Sequence, residues 1–174
     1  MSTLIKSRFE KQTATWGGNL ARTTSTNGMW LGIPTGHQQS YIAFGTTIGG
    51  PDADYNPSTS ADDLCSCIWQ PFLTIIVTGC KIFYGQGGST NTRHTLVLMR
   101  YDIDADGTLS NGAEVAGPAT DLGTDDYTTL ASMNLSLTSA IRILASQVLI
   151  GMVWQLTGSN SALGCKVILE YRRV

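Results

Sequence analysis

Charge is scarce in this sequence, and basic charge is missing from a long stretch of it. No Lys or Arg occurs between Arg22 and Lys81, and charged residues of both signs make up 14% of the chain, against about 25% in an average soluble domain. A body so poor in cations presents no basic face to nucleic acid. Histidine is nearly missing as well: His37, in a polar stretch, and His94, at the head of an apolar run, are the only two. There is no G-x-S-x-G, no H-E-x-x-H and no Gly-Lys-Ser/Thr phosphate loop, and the Gly-rich run at 85–90 opens no helix. An enzyme is therefore not expected. The longest apolar run, FLTIIV at 72–77, is strand-sized and far below the about 18 residues that a membrane span needs. The N-terminal stretch MSTLIKSRFEKQTATW has no apolar core of the secretory kind. The expected partners thus include neither nucleic acid nor membrane, and synthesis is expected in a cytoplasm.

What is present points to a β-rich protein. The 174 residues are 42% hydrophobic, with 19 glycines and a net charge of −2. One domain of this size can bury roughly 70% of its unfolded surface. Low charge leaves broad neutral faces, which suit assembly against other chains. Four cysteines, Cys65, Cys67, Cys80 and Cys165, are expected to be reduced and structural. Cys65-x-Cys67 lacks the second ligand pair of a zinc site.

Charge is also unevenly spread. Lys6, Arg8, Lys11 and Arg22 precede residue 23 with only Glu10 against them, whereas Asp102 to Asp126 holds seven acidic residues and no basic one. Residues 1–28 show isolated apolar positions broken by Trp16-Gly17-Gly18 and Asn27-Gly28. They read as an extended arm of the kind that orders against a neighbour, with a body over 29–174. Strand-like runs follow at 30–34, 40–47, 66–85, 94–103, 127–137, 148–156 and 165–173, with Pro71 dividing the third. In HTLVLMRYDI, Val97, Met99 and Tyr101 alternate with Leu96, Leu98 and Arg100. Both sets are largely apolar, as in a central strand covered on both faces. In the run at 131–137, Ala131, Met133, Leu135 and Leu137 alternate with Ser132, Asn134 and Ser136, the pattern of a strand with one wet side. No run carries a helical stripe. The expected fold is all-β, an antiparallel jelly-roll-like β-sandwich with an extended N-terminal arm.

One stretch has a chemical spacing. Asp102, Asp104 and Asp106, followed by Gly107, form the D-x-D-x-D-G of a calcium loop. An EF-hand also needs a bidentate Glu at its twelfth position, and that position here is Ala113, with Glu114 one residue late. The stronger reading is a strand that reverses through an Asp-Gly turn; a looser Ca2+ site at the three aspartates is the other. Tyr55 and Trp16 are the aromatics best placed to be exposed for sugar stacking, since Trp69 and Trp154 fall within strand-like runs.

The order TGCKIFYG, a Gly-rich turn, LVLMRYDIDADGTLSN, MNLSL, ILASQVLIGMVWQL and CKVILEY resembles the small jelly-roll domains in virion proteins of tailed bacteriophages. It is similar to capsid decoration (cement) proteins and to tail-fibre and spike head domains over residues 66–174. That resemblance implies a structural virion protein on the outer capsid surface, assembled as a homotrimer on the major capsid protein. The arm, with Lys6, Arg8, Lys11 and Trp16, then becomes the expected contact with the capsid or a sister chain. A receptor- or carbohydrate-binding head domain of a tail fibre is the alternative that the same resemblance allows.

Overall fold

The computed structural model describes residues 10–20, 28–30, 67–87, 93–105, 107, 109–119, 130–139, 141–157 and 162–174. Nine strands are found among them: β1 (Gln12–Leu20), β2 (Gly28–Trp30), β3 (Ile75–Gly87), β4 (Arg93–Ile103), β5 (Leu109–Ala119), β6 (Ala131–Asn134), β7 (Arg142–Ile143), β8 (Gln147–Thr157) and β9 (Ala162–Arg173). They form two sheets. Sheet A runs β1-β9-β3-β6, with the short β7 also on β3, and sheet B runs β2-β8-β4-β5. Every pairing is antiparallel.

The strand order has a simple origin. With the two-residue β7 set aside, the pairs β1–β9, β2–β8, β3–β6 and β4–β5 are the rungs of one long antiparallel ribbon that reverses at the β4–β5 turn. Rolling this ribbon brings β9 against β3 and β8 against β4, and the product is an eight-stranded jelly roll. The expected all-β, jelly-roll-like sandwich is the observed one. One side is closed where the chain after β6 crosses between sheets: Leu135 N–H donates to Cys80 O, and two residues on, Leu137 bridges Ala116 of β5.

Alternation places the core. From sheet A, Ala14, Trp16, Ile75, Val77, Cys80, Ile82, Tyr84, Cys165, Val167 and Leu169 point inward, and meet Leu96, Leu98, Val115, Ala116, Leu149 and Val153 of sheet B. Burying each of the larger aliphatic side chains contributes about 1.5–3 kcal/mol. The intervening residues of sheet B form a second apolar layer on its other face: Val97, Met99, Tyr101, Leu109, Val148, Ile150 and Met152, with Cys67. β4 is thus covered on both faces, as its two apolar sets require. The alternation at 131–137 holds in part: Leu135 is buried, Ala131 and Leu137 are half-buried, and Ser132, Asn134 and Ser136 are exposed, but Met133 of the expected apolar face is exposed as well.

Two strands lie where none was expected. Residues 12–20 were assigned to the extended arm of 1–28, yet they pair with β9 from Gln12↔Tyr171 to Leu20↔Leu163. Trp16 is fully buried, edge-on to Trp69 at 5.9 Å, and Trp69 in turn touches Tyr171 at 5.3 Å. An indole can bury its large apolar surface only against a core, and this one anchors β1 within the sandwich. The arm reading is corrected for these nine residues; residues 1–9 and 21–27 lie outside those described. The second unexpected strand, β5, covers Leu109–Ala119, in a stretch that reads as an acidic, Gly-containing loop. Its ladder is with β4, through three register shifts, beside the isolated bridge to Leu137, and it holds Gly117 and Pro118, the composition of an edge strand. Conversely, the strand expected at 66–70 reduces to a single bridge, Trp69↔Leu149, before Pro71.

Candidate functional site

The aspartate-rich stretch is the tip of the β4–β5 hairpin. Gly107 stands at φ +85 and its N–H donates to Asp104 O at 2.9 Å, the left-handed position that an Asp-Gly turn provides for. The carboxylates are held by neutral donors. Gln147 Nε2 donates to Asp102 Oδ1 at 2.8 Å, Asn111 Nδ2 to Asp102 Oδ2 at 2.9 Å, and Ser110 Oγ to Asp104 Oδ1 at 2.9 Å. The hydrogen bond from Gln147, then that from Asn111, hold the Asp102 carboxyl below its ordinary value, aided by nearby Arg100. Both oxygens of Asp102 and one of Asp104 are therefore engaged without a cation. Asp106 lies outside the described residues. Among those described, no three His, Cys, Asp or Glu side chains gather as metal ligands.

Of the four residues expected to make a partner contact, the structure describes Lys11 and Trp16. Trp16 is in the core, so it is corrected from contact residue to core anchor and offers no face for sugar stacking. Lys11 is on the surface, where its Nζ pairs with Glu170 Oε2 at 2.8 Å; such an exposed pair contributes little. Lys6 and Arg8 lie outside the described residues, as do His37, Tyr55 and Cys65. Cys67, Cys80 and Cys165 are buried. Burial pushes the Cys80 and Cys165 thiols up to about 12, which removes them from thiolate chemistry at neutral pH.

A different feature stands out at one end of the sandwich. Seven large apolar side chains are exposed among the described residues, and five of them, Phe72, Leu73, Ile103, Leu144 and Val174, belong to segments that meet there. Register shows the meeting: Ile75 pairs with both Arg173 and Ile143, Ile76 with both Arg172 and Arg142, and Val174 N–H donates to Thr74 O at 3.0 Å. Gln70 Nε2 donates to Ala145 O at 2.7 Å, and Gln147 joins the Leu144 turn to Asp102 by accepting from Leu144 N–H at 2.9 Å. Phe72 is 100% exposed. A cluster of this sort is far from the scattered apolar exposure of an ordinary surface.

Charge divides the same end. On the sheet A side, Arg142, Arg172 and Arg173 are exposed, and none has a carboxylate within ion-pair distance among the described residues. On the sheet B side are the exposed Asp104 and the partly exposed Asp102. The two sides are tied by Arg100, whose Nη1 donates to Arg142 O at 2.7 Å. Residue order hid this end. Its arginines and apolar residues come from four segments far apart in the chain, and FLTIIV reads as one strand. The available signal was the offset: alternation begins at Ile75, which leaves Phe72 and Leu73, directly after Pro71, outside the pattern.

A shallow apolar depression of about 650 Å³ also lies on the outer face of sheet A, lined by Phe83, Leu130, Ile168 and the stem of Lys166. Lys81 Nζ sits 4.8 Å from the centre of the Phe83 ring and covers it in part.

No protein-family model matches the chain, and no curated protein matches it. Among solved structures, it is similar to a chain in the structure of infectious bursal disease virus Gx strain, with 11% identity, a TM-score of 0.33 and 95% of this chain covered. It is similar also to a chain in the structure of the Gt strain of that virus, with 11% identity, a TM-score of 0.34 and 96% covered. This chain spans 37% of the length of each.

Proposed function

We propose that this chain is a structural virion protein, a capsid decoration (cement) protein of a tailed phage that docks on the assembled head. In this reading it is made in the host cytoplasm, acts by binding and not by catalysis, associates with itself as a homotrimer, and adds contact area between major capsid subunits. The observation that carries the reading is the combination of a jelly roll, a scaffold used in viral capsid domains, with exposed apolar side chains concentrated at one end. The fold alone leaves function open; the exposed end supplies the reason to expect a partner. The test is composition of purified particles. Quantitative mass spectrometry should find the chain at a fixed stoichiometric ratio to the major shell protein, and its absence from intact particles overturns the reading. For the tail-fibre alternative, burial of Trp16 removes one of the two candidate stacking platforms, and the other, Tyr55, lies outside the described residues.

A further inference from the structure

We infer that the charge-divided end of the sandwich is where copies of this chain meet, the basic side of one copy seated against the acidic side of the next. The inference deepens the self-association proposed above and rests on it. Three facts point to a second copy as the occupant. The exposed apolar residues Phe72, Leu73, Leu144 and Val174 lie together, so a partner that covers them removes contiguous apolar surface from water. Beside them, Arg142 and Arg172 flank Ile76 on the outer face of sheet A and meet no carboxylate among the described residues. Across the same end, Asp104 is exposed, and among the described residues its carboxylate accepts only from the Ser110 hydroxyl; Ile103 next to it is exposed as well. The end thus carries both halves of a complementary contact: cations with apolar side chains on one side, an anion with an apolar side chain on the other.

Within one molecule the two halves belong to different sheets at the same end, and no ion pair joins them among the described residues. When the ends of several copies converge on a rotation axis, the sheet A side of each faces the sheet B side of its neighbour. Every basic half then meets an acidic half, and the apolar residues are drawn toward the axis. Such a directed contact closes into a ring when its rotation is a whole fraction of a turn, and a rotation of one third agrees with the proposed homotrimer. Charge complementarity sets the register of the contact, and the apolar centre supplies most of its affinity.

Sedimentation velocity on the full-length chain at micromolar concentrations tests this, with the far-ultraviolet spectrum and melting temperature of each variant as the check on folding. The wild-type chain is expected to associate, and Phe72→Ser to weaken association about tenfold or more, as expected for loss of a buried aromatic contact. Because Phe72 is wholly exposed in the single chain, its fold should not change. The decisive arm is a charge exchange. The variant Arg142→Glu with Arg172→Glu, and separately Asp104→Lys, are each expected to lose self-association, while an equimolar mixture of the two recovers it. Lys81→Glu, on the sheet away from this end, should leave association unchanged. A wild-type chain that stays monomeric overturns the inference even where the chain co-purifies with particles. Self-association that ignores Phe72 and the charge exchange places the contact elsewhere and overturns it too. Failure to find the chain in particles bears on the virion reading and leaves this measurement standing.

Discussion

Replacement of Trp16 by alanine tests whether the N-terminal strand is part of the folded body. The side chain is fully buried between β1 and the inner layer, packs edge-on to Trp69, and stands on a strand paired with β9 along nine residues. Removing a buried Trp to Ala costs about 3–5 kcal/mol, including the about 0.5–1.5 kcal/mol of an aromatic pair. Against a typical total stability of about 5–15 kcal/mol, that is a large share. For a domain of this size each kcal/mol moves the melting temperature by about 2–4 °C, so a fall of roughly 6–20 °C is expected. A second substitution separates size from polarity. The indole N–H is buried with no hydrogen-bond partner among the described residues, so Trp16→Phe loses apolar area but also removes a donor left unsatisfied there, whose burial costs about 1–3 kcal/mol. It should therefore be far milder than Trp16→Ala. Urea unfolding followed by far-ultraviolet circular dichroism reads both, since Trp fluorescence is itself altered. A Trp16→Ala variant within about 1 kcal/mol of wild type would refute the reasoning and return residues 12–20 to the status of a dispensable arm.

Truncation offers a companion experiment: a chain lacking residues 1–9 should retain its β spectrum and cooperative melt, whereas one lacking residues 1–25 loses β1 and should not fold cooperatively. In the native protein at pH 8, Cys80 and Cys165 should react with a thiol reagent only as fast as the protein opens, because burial raises them from 9.0 to about 12 and so cuts the thiolate fraction about a thousandfold; prompt labelling of both, located by peptide mapping, would contradict their burial. The same raised values mean that the stability they contribute is present below pH 9 and is lost as pH rises toward 12, which should appear as a falling urea midpoint in that window. Asp102 works in the opposite sense. Its lowered value, caused mainly by the Gln147 hydrogen bond, stabilises the fold above the ordinary Asp value of 3.8, and that contribution is lost as pH falls below it. Asp102→Asn should lower the urea midpoint at pH 7, with the gap to wild type closing in acid; a gap independent of pH would exclude the charge as its cause.

Sequence alone determined the fold class and the interior of its central strands. Apolar alternation is a local property: a strand that is apolar at every position must be covered twice, and β4 is. The Asp-Gly turn was legible for the same reason, since the left-handed Gly107 and the Asp104 carbonyl that its N–H reaches lie within a few residues of each other. The ribbon order, the recruitment of β1 and β5, and the composition of the exposed end were decided only by tertiary structure. β1 and β5 are interrupted by glycines, and each is held through pairing with a strand from elsewhere in the chain or across a hairpin, an energy that local propensity does not contain. In β1 the Thr13-Ala14-Thr15-Trp16 alternation was a short signal that only the partner β9 made sufficient. The end that gathers Phe72, Leu144, Val174, Arg142 and Arg172 has no sequence signature beyond the offset of Phe72 and Leu73 from the alternation, because register between distant strands, and not spacing along the chain, brings those side chains to one place.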